Sequence, residues 1–272
     1  MFIKYSEIEN SYQQKHIDRE FQYNPLLKEC RYGVFEKLDG SNLQFIIYPG
    51  NYTFDDMMDS FEIASRSNKL NKESNFQGAS LPELIKKYTP AIKQLQIYAN
   101  DANVMLNVYG ELYGYGIQKR INYGKEKYLT FFDMRVNGEY LAQKDFCGIM
   151  DHIEYLTSMN NLYVKPVHIY SSLEEALTIN PDFESAFSPT NDHAEGWVIK
   201  PWNITSSFYL KMKSEKFKEK TKVREIKNKD YSITVNKLKA YFNTLINENR
   251  VLSVFSKEGE ISEPSQIGDY VK

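Results

Sequence analysis

The chain has 272 residues, of which 42% are apolar and 26% charged, with a net charge of −2. This is the balance of an ordinary globular protein, large enough for one large domain or a large and a small one, and its bulk charge selects no polyanionic partner. Two cysteines outside any CxxC pair and four scattered histidines exclude a disulfide framework and argue against structural zinc. No apolar run approaches the length of a membrane span. The N-terminal stretch MFIKYSEIENSYQQ is polar and lacks a signal-peptide core, so the chain reads as cytoplasmic.

Taken in chain order, residues 6–23 place Ile8, Tyr12 and Phe21 at amphipathic spacing and are expected to form a helix. Residues 34–48 read as strand, sharp turn, strand, with Leu43, Phe45 and Ile47 on one face of the second strand. A polar stretch rich in Asp and Met is expected as a loop, and residues 62–66 as a short strand. Ser80 caps a predicted helix with Pro82 in its first turn, and Pro90 is expected to break or kink it. Residues 104–109 and 128–136 read as strands, and Asn137-Gly138 as a hairpin turn. Helices around 145–158 and 172–178 precede two late strands at 197–200 and 208–213. This interleaving predicts an α+β fold. Beyond it, Val235, Leu238, Phe242, Leu245 and Leu252 recur at helical spacing, and we set a domain boundary near Glu225.

The charge distribution is uneven. Between Lys200 and Lys229 there are ten basic residues and three acidic ones, a pattern that serves phosphates or forms a solvated lysine-rich linker.

Several short segments call for one explanation: EKLDGSN with Lys37, ASRS with Arg66, YGELYG with Glu111, FFD with Phe132, AEGWVIKP with Glu195, and YLKMKS with Lys211 and Lys213. A free lysine has a pKa near roughly 10.4, so a nucleophilic lysine needs help to lose its proton. Lys211 and Lys213, two apart on a predicted strand, share a face opposite Phe208, Leu210 and Met212. That cationic face suits a polyphosphate and would lower the pKa of a neighbouring lysine. Glu111 stands at a strand end between glycines, where backbone can approach a sugar. Glu195 precedes a glycine and a strand, where a carboxylate can hold a hard cation. Arg66 offers a fork for phosphate, and Phe132 a ring for a base. Singly, each has a plainer reading: a surface lysine, a turn glutamate, a core phenylalanine, a solvated edge strand. Their order and strand-end placement set them apart.

In that order the segments resemble the motifs of the covalent nucleotidyltransferases, which comprise polynucleotide ligases and mRNA capping enzymes. EKLDGSN is similar to motif I, YGELYG to motif III, FFD to motif IIIa, AEGWVIKP to motif IV and YLKMKS to motif V. Within that superfamily the chain most resembles the RNA ligase 2 family, whose members seal nicks in duplex RNA. MFIKYSEIENSY, YGIQKRINYG and LKMKSEKFKEK carry this likeness, which runs from Met1 to about residue 265. Asp39 stands where that branch often has histidine, as in many DNA ligases.

The resemblance implies an ATP-grasp-like nucleotidyltransferase domain of antiparallel sheets with flanking helices over residues 1–224, and a short helical C-terminal module over 225–272. Lys37 would take AMP from ATP through a phosphoramidate bond. Glu36, mainly by its backbone, and Leu38 would border the adenine, on which Phe132 would stack. Asn42 and Arg66 would lie near ribose, phosphate or the nick terminus, and Glu111 would hold the ribose hydroxyls. Glu195 would help place a metal, Lys200 would sit near the site, and Lys211 and Lys213 would contact the α-phosphate. The implied activity is an ATP-dependent RNA ligase for RNA repair, with ATP and Mg2+ or Mn2+ as cofactors. Its partner would be RNA, as a nicked duplex, and the enzyme would be a monomer with no membrane association. The rivals are a GTP-dependent capping guanylyltransferase and a non-catalytic binder of duplex RNA.

Overall fold

The computed structural model describes residues 1–50 and 60–218. Most of the stretch expected as a loop before residue 60, and the whole predicted C-terminal module, lie outside the described residues. In chain order the first elements are β1 (Glu9–Asn10), α1 (Gln14–Tyr23), β2 (Tyr32–Glu36), β3 (Ser41–Ile47), β4 (Phe61–Ser65), β5 (Lys69–Leu70), β6 (Asn75–Phe76), β7 (Ala79–Ser80) and α2 (Leu81–Ala102). Then follow β8 (Leu106–Gly114), β9 (Lys127–Val136), β10 (Glu139–Tyr140), α3 (Gln143–Thr157), β11 (Pro166–Tyr170), α4 (Leu173–Ala176), β12 (Gly196–Pro201) and β13 (Leu210–Lys213).

One sheet runs β10-β9-β8-β3-β4-β5, all antiparallel. A second runs β1-β13-β12-β2-β11, antiparallel except where β1 lies parallel to β13, and β6 pairs with β7 in a small sheet of their own. The fold is α+β, with antiparallel sheets and few helices, as expected. Although β2 and β3 are consecutive, they belong to different sheets. The LDG turn between them therefore crosses from one sheet to the other and fixes where Lys37 sits.

The main core joins the first sheet to α2 and α3. Leu43, Phe45, Ile63, Val108, Leu129 and Phe131 of the strands meet Leu84, Leu95, Phe146 and Met150 of the helices. A smaller core under the second sheet gathers Ile17, Tyr32, Val34, Ile199, Phe208 and Leu210. Leu210 and Phe208 thus turn away from Lys211 and Lys213, as the period-two reading requires. At the β9–β10 corner, Asn137 and Gly138 have φ of 50° and 92°, the left-handed pair that a tight hairpin turn needs.

Two local expectations are corrected, and one strand went unpredicted. The helix predicted over 6–23 begins only at Gln14. Tyr5 and Ile8 instead join a cluster with Tyr109, Tyr140, Tyr209 and Phe132, while Glu9 and Asn10 extend the edge of β13, so tertiary pairing overrides a weak helical preference. Pro90 does not end its helix: α2 runs through it to Ala102. An interior proline costs about 3 kcal/mol, but burying Ile92 and Leu95 beyond it returns about 1.5–3 kcal/mol each. Finally, β11, which pairs with β2, was not foreseen, because PVHIY leaves its side chains half-buried or exposed.

Candidate active site

The site lies where strands of the two sheets converge. Lys37 immediately follows β2, and its amide donates to the Gly196 carbonyl at 2.8 Å, extending the β2–β12 ladder past the end of β2. Gly196 has φ of +139°, and a Cβ there would sit 2.0 Å from the Met212 carbonyl oxygen. Only glycine fits, so the EG of AEGW is a packing requirement as well as a motif. A Cβ at Gly40 would likewise meet the Leu112 carbonyl oxygen at 2.3 Å, which explains the glycine of KLDG.

The β3–β8 register sets Asn42 opposite Glu111, and β12–β13 pairing sets Gly196 opposite Lys213. Together these registers draw distant segments into one cleft of about 220 Å³, whose walls include Lys37, Asn42, Arg66, Glu111, Phe132, Glu195, Lys211 and Lys213. Beside it opens a slot of about 70 Å³ bordered by Phe35, Leu38, Phe132, Val164 and Val198, with Glu36 and Lys200 also on its wall. Lys37, Glu111 and Phe132 border both spaces. Every residue singled out in the sequence therefore borders the cleft or the slot. The apolar walls of the slot suit a flat base, and the charged walls of the cleft suit phosphates.

Lys37 Nζ donates to Glu195 Oε2 at 2.7 Å, and Lys213 Nζ lies 3.6 Å from Glu195 Oε1. Burial pushes the Glu195 carboxyl up, but the ammoniums of Lys37 and then Lys213 more than offset this and hold it below the usual carboxylate range. Glu111, in a pocket that strips its water, is pushed up to about 8 despite the attraction of Lys37. The amine of Lys37 is the surprise. Burial favours its neutral form, yet Glu195, Glu111 and Asp39 outweigh burial and raise its pKa. The expectation that Lys211 and Lys213 would lower it is not met, because Lys213 is itself drawn to Glu195 and three carboxylates raise the pKa of the amine.

The remaining side chains are held in distinct ways. Arg66 reaches Glu7 at 3.8 Å. Asn42 Oδ1 is buried and has no hydrogen-bond partner among the described residues, an acceptor left over on the cleft wall. The Glu36 carboxylate accepts from the Ser185 hydroxyl and from the Ala186 amide at 2.9 Å; burial raises its pKa. Lys200 is buried among protein acceptors, donating to the Phe132 carbonyl at 2.7 Å and to Asp133 Oδ2 at 3.3 Å.

Sequence reasoning missed the N-terminal wall, where Tyr5, Glu7, Ile8 and Glu9 line the cleft, because it placed most of them on a helix. It also missed Arg120, which pairs with both oxygens of Asp39. The only available signal was its place in YGIQKRINYG, a segment noticed without assigning any residue in it. Among the described residues, no group of three or more His, Cys, Asp or Glu side chains gathers to hold a metal by itself. The donors still suit a magnesium-like ion, which keeps waters and takes one or two carboxylates plus substrate phosphates. Nor, among those residues, is any helix long and apolar enough to cross a membrane.

Antiparallel sheets meeting over a lysine, with carboxylates and cations around it, form a domain of the nucleotidyltransferase type. The family model for RNA ligases matches residues 31–223, and the chain belongs to the RNA ligase family. Among solved structures, a Naegleria gruberi RNA ligase mutant in its apo form shares 19% identity over 79% of this chain and 56% of its own, with a TM-score of 0.56. A second mutant of that ligase, with ATP and Mn, shares 20% identity over 82% of this chain and 60% of its own, with a TM-score of 0.60. A third, with AMP and Mn, matches over 79% of this chain and 56% of its own at 19% identity and a TM-score of 0.56. At such identity the likeness shows the fold. The chain spans less than two thirds of the length of these structures.

Proposed function

We propose that the protein is an ATP-dependent RNA ligase of the RNA ligase 2 type. It would seal a 3′-hydroxyl to a 5′-phosphate at a nick, preferably in duplex RNA, through a lysyl-AMP intermediate. The observation that carries this reading is Lys37 Nζ, 2.7 Å from Glu195, at the junction of a phosphate-sized charged cleft and an apolar slot bordered by Phe132. Family membership and the ATP- and AMP-bound state of structural neighbours support the same reading.

In the first step Lys37 Nζ attacks the α-phosphorus of ATP. The N–P bond forms, the bond to the bridging oxygen breaks, pyrophosphate leaves with the electron pair, and Nζ gives up a proton. Lys211 and Lys213 would neutralise charge on the α-phosphate oxygens, and the positioning of the groups would supply much of the acceleration. Glu111 would hold the ribose, while Phe132 and Leu38 would enclose the base. A divalent metal ion, when bound, would offset charge on the triphosphate and on the leaving pyrophosphate; Glu195 would hold it. As a phosphoramidate, Lys37 is no longer a cation, so Glu195 loses that ion-pair partner. AMP then passes to the 5′-phosphate, and the 3′-hydroxyl displaces it.

The test is incubation with α-labelled ATP or GTP and magnesium, followed by denaturing electrophoresis. Acid-labile label from ATP on Lys37, chased by nicked RNA onto its 5′-phosphate and then released as AMP while the strand is sealed, is the expected result. Label from GTP alone would favour capping, and no label with retained RNA binding would favour a non-catalytic binder.

A further inference from the structure

Arg120 is an arginine on the cleft wall that the proposed mechanism does not use. Its Nε donates to Asp39 Oδ2 at 2.9 Å, and its Nη2 pairs with Asp39 Oδ1. Asp39 is almost wholly buried, 2% exposed, and its own amide donates to the Tyr123 hydroxyl at 2.9 Å. The guanidinium also sits 5.1 Å from the ring centre of buried Phe217. The fork is thus fixed on one edge by a carboxylate and on one side by an aromatic ring. The described residues give its third nitrogen, Nη1, no hydrogen-bond partner. Lys216 donates to the Arg120 backbone carbonyl at 3.4 Å, and Lys213 lines the same cleft.

Asp39 lines the same cleft, so the pair stands together on its wall. A guanidinium locked on one edge with a donor remaining is a preorganised anion clamp. We propose that Arg120, positioned by Asp39, binds a phosphate in the cleft other than the one that Lys211 and Lys213 would hold. This rests on the nucleotidyl-transfer reading above. The chemistry is shared by two sources, the terminal phosphates of ATP and a phosphate of the RNA strand at the nick. The proposal also gives the aspartate of KLDG a task beyond the turn: it aims a second cation at the reacting phosphates.

The informative variant is Asp39→Asn with Arg120→Gln, which removes the buried charges together and leaves neither unpaired. Arg120→Lys, which keeps the charge but not the fork, is the companion. One arm measures lysine adenylylation against ATP concentration, and its reversal against pyrophosphate concentration. The other measures sealing of a pre-adenylylated nicked RNA against RNA concentration. The expected result is a melting temperature near that of the unaltered chain and a half-saturating concentration raised roughly tenfold or more in one arm, the size of one hydrogen bond to a charged group. The arm that moves names the source of the phosphate. Saturation curves within twofold in both arms, for the double variant or for Arg120→Lys should the double variant not fold, would overturn the proposal and leave Arg120 as the counter-ion of Asp39. If the unaltered chain takes no label from ATP, it is the functional reading that falls; if it labels normally and the variants match it, only the Arg120 inference falls.

Discussion

Two lysines of the second sheet, each paired with a carboxylate, have opposite environments. Lys37 is 2.7 Å from Glu195 with 23% of its side chain exposed, whereas Lys200 is 3.3 Å from Asp133 with 3% exposed. Burial pushes the Lys200 amine down, and the single nearby carboxylate of Asp133 only partly opposes this. Lys37 is also penalised by burial, yet Glu195, Glu111 and Asp39 together turn the shift upward. Choosing a nucleophile by its depressed pKa alone would therefore select Lys200 and not the lysine proposed above. Lys200 has the more easily lost proton but is enclosed by protein acceptors. Lys37 holds its proton more tightly but faces the cleft, and its carboxylates can be neutralised by whatever cations arrive with a nucleotide.

The comparison breaks most sharply if the two lysines exchange phenotypes. Lys37→Ala is expected to abolish the acid-labile AMP label while leaving the melting temperature nearly unchanged, since Glu195 keeps Lys213. Mass spectrometry and a thermal melt read both. A label that persists would remove Lys37 from the chemistry. Lys200→Met should do the reverse in stability, because it leaves Asp133 buried without its cation. Losing one partner of a buried pair costs about 3–5 kcal/mol, readable as a lower urea midpoint. An unchanged midpoint with lost labelling would make Lys200 a site residue and not a structural one.

A smaller effect is expected at the cationic strand. Lys211→Ala and Lys213→Ala should each slow adenylylation, on the order of 10²-fold, the cost of removing one donor to developing charge. Single-turnover labelling measures this, and normal rates in both variants would reduce the strand to a solvated edge. Smaller again is the effect of Glu195→Gln on the free enzyme. With its strongest counter-charge gone, the Lys37 amine should lose its proton at lower pH and react faster with an acylating reagent at pH near 8 than in the unaltered chain. Peptide mapping reads that difference, and an unchanged rate would show that Glu195 does not control the amine.

What the sequence made legible was whatever depends on local order. KLDG, ELYG, AEGW and LKMK each carry their meaning in two to seven adjacent residues, and the strands that hold them follow from period-two burial, so every expected site residue borders the cleft or the slot. What it did not make legible depends on pairing across the chain. Asp39 and Arg120 are 81 residues apart, and nothing near either one announces the other. Glu9 and Asn10 become strand only because β13 offers a free edge. The rise in the pKa of Lys37 needed the simultaneous position of three carboxylates from separate segments, whereas the sequence argument counted only the nearby lysines. Pro90 does not break its helix, because Ile92 and Leu95 beyond it have a core to fill. The expected 225–272 module lies outside the described residues.

The smallest and most specific expectation concerns Glu111. Burial raises its carboxyl from the ordinary 4.5 to about 8 in the folded chain, while in the unfolded chain it returns to the ordinary value. Between those two values the folded chain holds a proton that the unfolded chain has released. Its contribution to stability is therefore fully present below pH 4.5 and is lost as pH rises through about 8. Glu111→Gln keeps the neutral shape and removes the titration. Urea midpoints of the two proteins from pH 5 to 9 should diverge, with the unaltered chain losing ground to the variant as pH rises. The same proton matters for Lys37. A neutral Glu111 leaves Lys37 held chiefly by Glu195, and ionising it at alkaline pH adds a second counter-charge to the amine. Midpoints that run parallel over the whole range would show that Glu111 is already ionised in the free site. Lys37 would then face a fully charged set of carboxylates at neutral pH, and the contrast with Lys200 would be sharper still.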